Sequence, residues 1–152
     1  MALWQFKCFL VSATDTLIHG VAAISLSEGQ VADAKLRVDA DDLDRFFERL
    51  SDLLPEKASW DAALRIWGDE KTDDIQVWLD GGEIAEVQLR LDMRDPSIDL
   101  VDGLCRLAAA YECVFLTPDG RIIRPNKDRL EKVSGRSAAA DFSRDPAAFL
   151  AR

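Results

Sequence analysis

The segment from Ile75 to Met93 constrains the fold more than any other. Ile75, Val77 and Leu79 alternate with Gln76 and Trp78. After Asp80-Gly81-Gly82 the alternation resumes, with Ala85, Val87, Leu89, Leu91 and Met93 on one face and Glu86, Gln88, Arg90, Asp92 and Arg94 on the other. A period of two is that of a half-buried strand. Adjacent glycines take positive φ without steric cost, so the two runs form a hairpin. A three-residue loop pairs Ile75 with Val87, Val77 with Ala85 and Trp78 with Ile84, which aligns the apolar faces. A two-residue loop sets Val77 opposite Glu86, a register that fails, because a slip of one residue turns every side chain to the other face.

The flanking segments follow from spacing. Asp95 caps a helix that runs from Pro96 to Glu112, with Pro96 at its first position and a core stripe of Ile98, Val101, Leu104, Cys105 and Ala108. Gly103 costs this helix about 1 kcal/mol against alanine, which close packing on the sheet offsets. Cys113–Thr117 and Arg121–Arg124 are short strands around Pro118-Asp119-Gly120. A second helix covers Asp41–Leu54, with Leu43, Phe46, Phe47, Leu50 and Leu54 at 3-4 spacing.

Leu3–Val11 reads as a strand with Trp4, Phe6, Cys8 and Leu10 on one face, and Val21–Leu26 and Ala34–Val38 as strands around the turn Ser27-Glu28-Gly29-Gln30. Ser59–Trp67 reads as a strand with Trp60, Ala62, Leu64 and Ile66 inward and Arg65 and Trp67 outward. Beyond Pro125 the chain forms short helices over Lys127–Val133, Ser137–Phe142 and Pro146–Leu150. The fold class is therefore α+β over residues 1–152 as a single domain, a mostly antiparallel sheet of about six to eight strands with two main helices and a helical C-terminal tail.

Composition narrows the function. The net charge of −9 leaves no basic footprint for nucleic acid, and no apolar run approaches the ~20 residues of a membrane span. Met1–Val11 lacks a basic start and a small-residue cleavage site, and Cys8, Cys105 and Cys113 show no C-x-x-C spacing. A cytoplasmic chain with reduced, buried thiols is the expectation.

Trp67-Gly68, Asp74-Ile75, Gly82-x-Ile84, Arg90-x-Asp92-x-Arg94, Pro125 and the closing run Ser137-x-Ala139-x-x-Phe142 with Asp145, Pro146, Phe149 and Leu150 form a pattern. Over roughly residues 60 to 152 it resembles a group of small uncharacterised bacterial proteins, some of which stand among predicted immunity proteins for bacterial toxins. The resemblance implies an immunity-type role and assigns no functional residue.

Chemistry has few candidates. His19 is the lone histidine, so no metal site is indicated, and Gly81-Gly82 is too short for a phosphate loop, so no cofactor is expected. Glu86 and Asp92 stand about 20 Å apart along one strand, too far to act as a catalytic pair. Asp92 between Arg90 and Arg94 is held ionised, a poor general acid. Trp67 and Trp78 fall on the face that carries Arg65, Arg90, Asp92 and Arg94, and exposed Trp with Arg is the composition of binding hot spots. Alternatively the N-terminal third or the tail covers this face and both tryptophans are core. Three functions follow. One is a non-catalytic protein-binding module with a basic partner. Another is an immunity protein. The third is an enzyme using Asp92 with Arg90 or Arg94, which a pocket beside Asp92 would favour.

Overall fold

Seven strands pair into one sheet, antiparallel throughout, and the first strand of the chain lies inside it. The computed structural model describes residues 1–152 and is α+β. In chain order the elements are β1 (Gln5–Ser12), β2 (Leu17–Ile18), β3 (Val21–Ala22), α1 (Glu28–Asp33), α2 (Leu43–Leu53), β4 (Glu56–Lys57), β5 (Leu64–Gly68), β6 (Asp74–Asp80), β7 (Glu83–Asp92), α3 (Ile98–Ala110), β8 (Cys113–Leu116), β9 (Ile122–Ile123), α4 (Lys127–Gly135), α5 (Ala138–Arg144) and α6 (Pro146–Leu150). The sheet order is β4-β5-β6-β7-β1-β8-β9, and β2 and β3 make a separate small hairpin.

One face of the sheet carries Phe6, Cys8 and Leu10 of β1, Ile75 and Val77 of β6, and Val87, Leu89 and Leu91 of β7. Phe46, Phe47 and Leu50 of α2 and Val101, Leu104, Leu107 and Ala108 of α3 pack on them in a single core. Burying a side chain of this size contributes about 1.5–3 kcal/mol. α2 and α3 meet closely at Gly103, where a Cβ would run into the side chain of Leu53. The glycine thus serves a helix–helix contact rather than the helix–sheet contact its position suggests. α3 starts at Ile98 and is capped by Ser97, whose Oγ accepts the Leu100 N–H at 3.2 Å; Asp95 is not the cap.

The hairpin turns on two residues, Gly81 and Gly82, with φ of 60° and 83°. Unaided, that loop would set Val77 against Glu86. An irregularity between Trp78 and Leu79 shifts the register by one, so that Val77 faces Val87 and Ile75 faces Leu89. The apolar faces do coincide, through a bulge rather than a third loop residue. Trp78 consequently faces Glu86, not Ile84.

The N-terminal third departs most from the strand pattern. Ser27 and Gln30 form a capping box, Ser27 Oγ taking the Gln30 N–H and Gln30 Oε1 the Ser27 N–H, so this segment opens α1 instead of turning a hairpin. Residues 34–39 form no strand. Leu26, Val31, Ala34 and Ile18 instead cover Val11, Val114 and Leu116 on the second face of the sheet.

Candidate functional site

The sequence groups six residues on one outer face, and the structure divides them into separate environments. Trp67 pairs directly with Ile75 across β5 and β6, so it points to the helix face. It is fully buried, stacks on Phe47 at 5.7 Å, and donates its indole N–H to Ser51 Oγ at 2.9 Å. Arg65 lies on that same face, its guanidinium 4.1 Å from the Phe47 ring and paired with Glu56 at 2.7 Å. Trp67 and Arg65 are thus removed from the proposed outer surface. The reason is that β5 is apolar on both faces: Leu64 and Ile66 are buried on one side and Trp67 on the other, so alternation does not report which face looks outward.

Arg90 and Asp92 lie on the second face, buried rather than on a solvated ladder. Arg90 bonds Asp74, its cross-strand partner, through Nε at 2.7 Å and through Nη2. Gln76 adds a third donor to Asp74 at 3.1 Å. The Asp69–Asp73 loop is tied down at this end of the sheet: Gln5 donates to the carbonyls of Glu70 and Thr72, and Trp4 and Arg94 both donate to that of Lys71. Arg94 also stacks over Trp4 at 4.1 Å, so Trp4 lies at this rim and outside the core.

Asp92 takes both its hydrogen-bonded charge contacts from Arg94, at 2.9 and 2.8 Å. Burial pulls its carboxyl upward, but the Arg94 bonds and charge outweigh this and hold it below the ordinary carboxylate value. Next to it, burial pushes Asp73 up. The Asp92 backbone N–H, donated to Asp73 Oδ1 at 2.7 Å, opposes that only in part, and the carboxylates of Asp92, Asp95 and Asp74 add repulsion. Asp73 and Asp92 both line a cavity of about 240 Å³ between the end of β7, the start of α3 and α4. This pocket was not legible in the sequence, because its walls come from four separate segments.

Trp78 is half-buried on the second face, and its ring packs edge-on against Trp60 at 5.6 Å. Trp60 is 68% exposed, not an inward strand residue, because Ser59-Trp60-Asp61 forms a turn, with Ser59 Oγ taking the Asp61 N–H and Asp61 Oδ1 the Ala63 N–H. Asp61, next to Trp60, and Asp80, Glu83 and Glu86 of the hairpin are exposed, and none takes part in an ion pair, although Lys35 lines the same cavities as Glu83 and Glu86. Asp80 and Glu83 face each other across the hairpin and Glu86 faces Trp78.

Elsewhere the reactive residues are in ordinary settings. Burial raises the Cys8 and Cys113 thiols to about 12 and Cys105 to about 11. His19 is an exposed turn residue at φ 52°, and no group of His, Cys, Asp and Glu is arranged to hold a metal ion. No helix is long and apolar enough to cross a membrane. Comparison with protein-family models, with curated proteins and with solved structures finds no match to this chain.

Proposed function

We propose that this chain is a protein-binding module that docks a basic partner on the Trp60–Trp78 pair. The observation that carries the reading is an exposed indole packed on a second one, with exposed carboxylates on the neighbouring turn and hairpin that form no ion pair. Tryptophan supplies large anchoring area at interfaces, and its burial against a partner is worth more than that of most residues. Directly opposed like charges such as Asp80 and Glu83 destabilise a strand pair, and a basic surface removes that repulsion. The net charge of −9 speeds encounter with such a surface. It also opposes a second copy of the chain as the occupant. An immunity role is this same reading with a toxin as the basic protein.

The test is capture from the source cells by the wild-type chain and by Trp60→Ala and Trp78→Ala, followed by titration with the purified captured protein. The expected result is a basic protein bound by the wild type, bound more weakly as salt rises, and lost in both variants while their circular dichroism is unchanged. Self-association in sedimentation, or capture that ignores both variants, would overturn the reading.

A further inference from the structure

On one edge β1 outruns its partner. Trp4 accepts the Met93 N–H at 2.9 Å, and Ala13 donates its N–H to Glu112 at 2.9 Å. Peptide groups alternate in direction along a strand, so Trp4, Phe6 and Cys8 bond toward β7, and Phe9, Val11 and Ala13 bond toward β8. Lys7 falls in the second set. The pairing with β8 ends at Phe9 and Leu116, and the residue next in register, opposite Lys7, is Pro118. Proline has no N–H to give the Lys7 carbonyl. The chain turns away there, so the Lys7 N–H finds no backbone acceptor either. Gln5, the next residue with this direction, already donates its N–H to Ala2 at 3.0 Å. The open edge is therefore short and centred on Lys7.

A cavity of about 410 Å³ lies along this edge, lined by Lys7, Pro118, Arg121, Val133 and Arg136 among others. That is within the roughly 300–1,000 Å³ of ligand pockets. The Lys7 ammonium rests over the Phe9 ring at 5.2 Å, so Lys7 offers the space its backbone. Arg121 and Arg136 are exposed and form no ion pair, in a chain of net charge −9. The one carboxylate in the lining, Asp119, already accepts the Thr117 hydroxyl. An unpaired backbone N–H beside two free guanidinium groups matches a carboxylate. The unpaired carbonyl matches the N–H of the same ligand residue. So short an edge takes the end of a chain rather than its middle. We propose that this site captures the free C-terminus of an extended peptide. The terminal carboxylate accepts the Lys7 N–H and pairs with Arg121 and Arg136. The terminal residue donates its own N–H to the Lys7 carbonyl, as an added strand does, and lays an apolar side chain against Pro118 and Val133. The site is separate from the Trp60–Trp78 face and selects the opposite charge.

The probe is the tripeptide acetyl-Ser-Ala-Leu with a free carboxylate, and its C-terminal amide is the control. Both are titrated by calorimetry and by amide chemical-shift mapping. The expected result is binding of the acid at least about tenfold tighter than the amide, the difference a charge-assisted hydrogen bond makes. On the wild-type chain the shifts should gather at Lys7, Asp119 and Arg136, and hydrogen exchange at the Lys7 amide should slow. The double variant Arg121→Gln/Arg136→Gln should bring the acid down to the affinity of the amide. Both side chains are exposed, so the fold is kept and circular dichroism is unchanged. A peptide with both ends blocked and a glutamate in its middle should bind no better than the amide. Equal affinity for acid and amide, no binding at millimolar acid, an inner glutamate that serves as well, or shifts confined to the Trp60 and Trp78 indoles would overturn the proposal.

Discussion

Arg90→Met tests the buried centre of the second sheet face. In the native chain the Asp74 side chain is wholly buried and the Arg90 side chain is 10% exposed. Asp74 accepts two bonds from Arg90 and one from Gln76. Methionine keeps most of the hydrocarbon volume and removes the charge, so Asp74 is left buried with the Gln76 amide alone. Removing one member of a buried pair costs about 3–5 kcal/mol, because the surviving charge stays desolvated. That is a large part of the roughly 5–15 kcal/mol that holds a domain folded. At about 2–4 °C per kcal/mol for a chain of this size, the melting temperature should fall by about 6–20 °C. Urea titration at neutral pH gives the free energy directly. One control separates charge from packing: the double variant Asp74→Val/Arg90→Met should recover most of the loss, since neither group is then buried unpaired. A loss below about 1 kcal/mol, the range of surface ion pairs, would show that Arg90 and Asp74 are solvated and that the face is not closed as described.

The neighbouring carboxylates should respond to pH with opposite signs. Asp73 is raised in the folded chain, so ionising it costs stability as pH climbs above 3.8; Asp73→Asn should raise the melting temperature at pH 7 and match the wild type below pH 3.8. Asp92 is lowered, so its contribution is present above 3.8 and lost as pH falls; Asp92→Asn should destabilise at pH 7 by about 1–3 kcal/mol, the gap closing in acid. Like slopes for the two variants would refute the assignment. Gly82→Val should cost more than about 1 kcal/mol in urea, since φ is 83° there, although no atom lies within 4 Å of a Cβ; an unchanged midpoint would contradict a strained turn. With Ellman's reagent at pH 8 the native chain should leave all of Cys8, Cys105 and Cys113 unreacted, and the unfolded chain should react at each; rapid labelling of the native chain would contradict their burial.

Local pattern determined much of this protein by itself. The 3-4 spacing of Phe46, Phe47 and Leu50, and of Val101, Leu104 and Ala108, suffices for α2 and α3, because each helix needs only one apolar stripe. Ser137 and Asp145 cap the tail helices through their own side chains, a contact three residues long. Gly81-Gly82 marks the hairpin because positive φ is a property of single residues. The capping box at Ser27 and Gln30 was equally readable and is the local signal that strand-like alternation obscured.

What only the tertiary structure decided is which faces are covered. β1 enters the sheet between β7 and β8, so partners some eighty and more residues distant close it on both edges. A one-residue bulge near Trp78 resets the parity of the hairpin, and nothing in the alternation distinguishes that from a longer loop. Trp67 and Trp60 exchange roles, buried for exposed, because β5 is apolar on both sides and the Trp60 turn precedes it. Arg90 and Asp92 read as solvated on charge alone. They are buried because Asp74 and Arg94 neutralise them, with the Asp69–Asp73 loop tied across that end of the sheet by Gln5 and Trp4. Charge and hydropathy are properties of a residue. Burial belongs to whatever packs above it, and here that cover comes from parts of the chain far away in sequence.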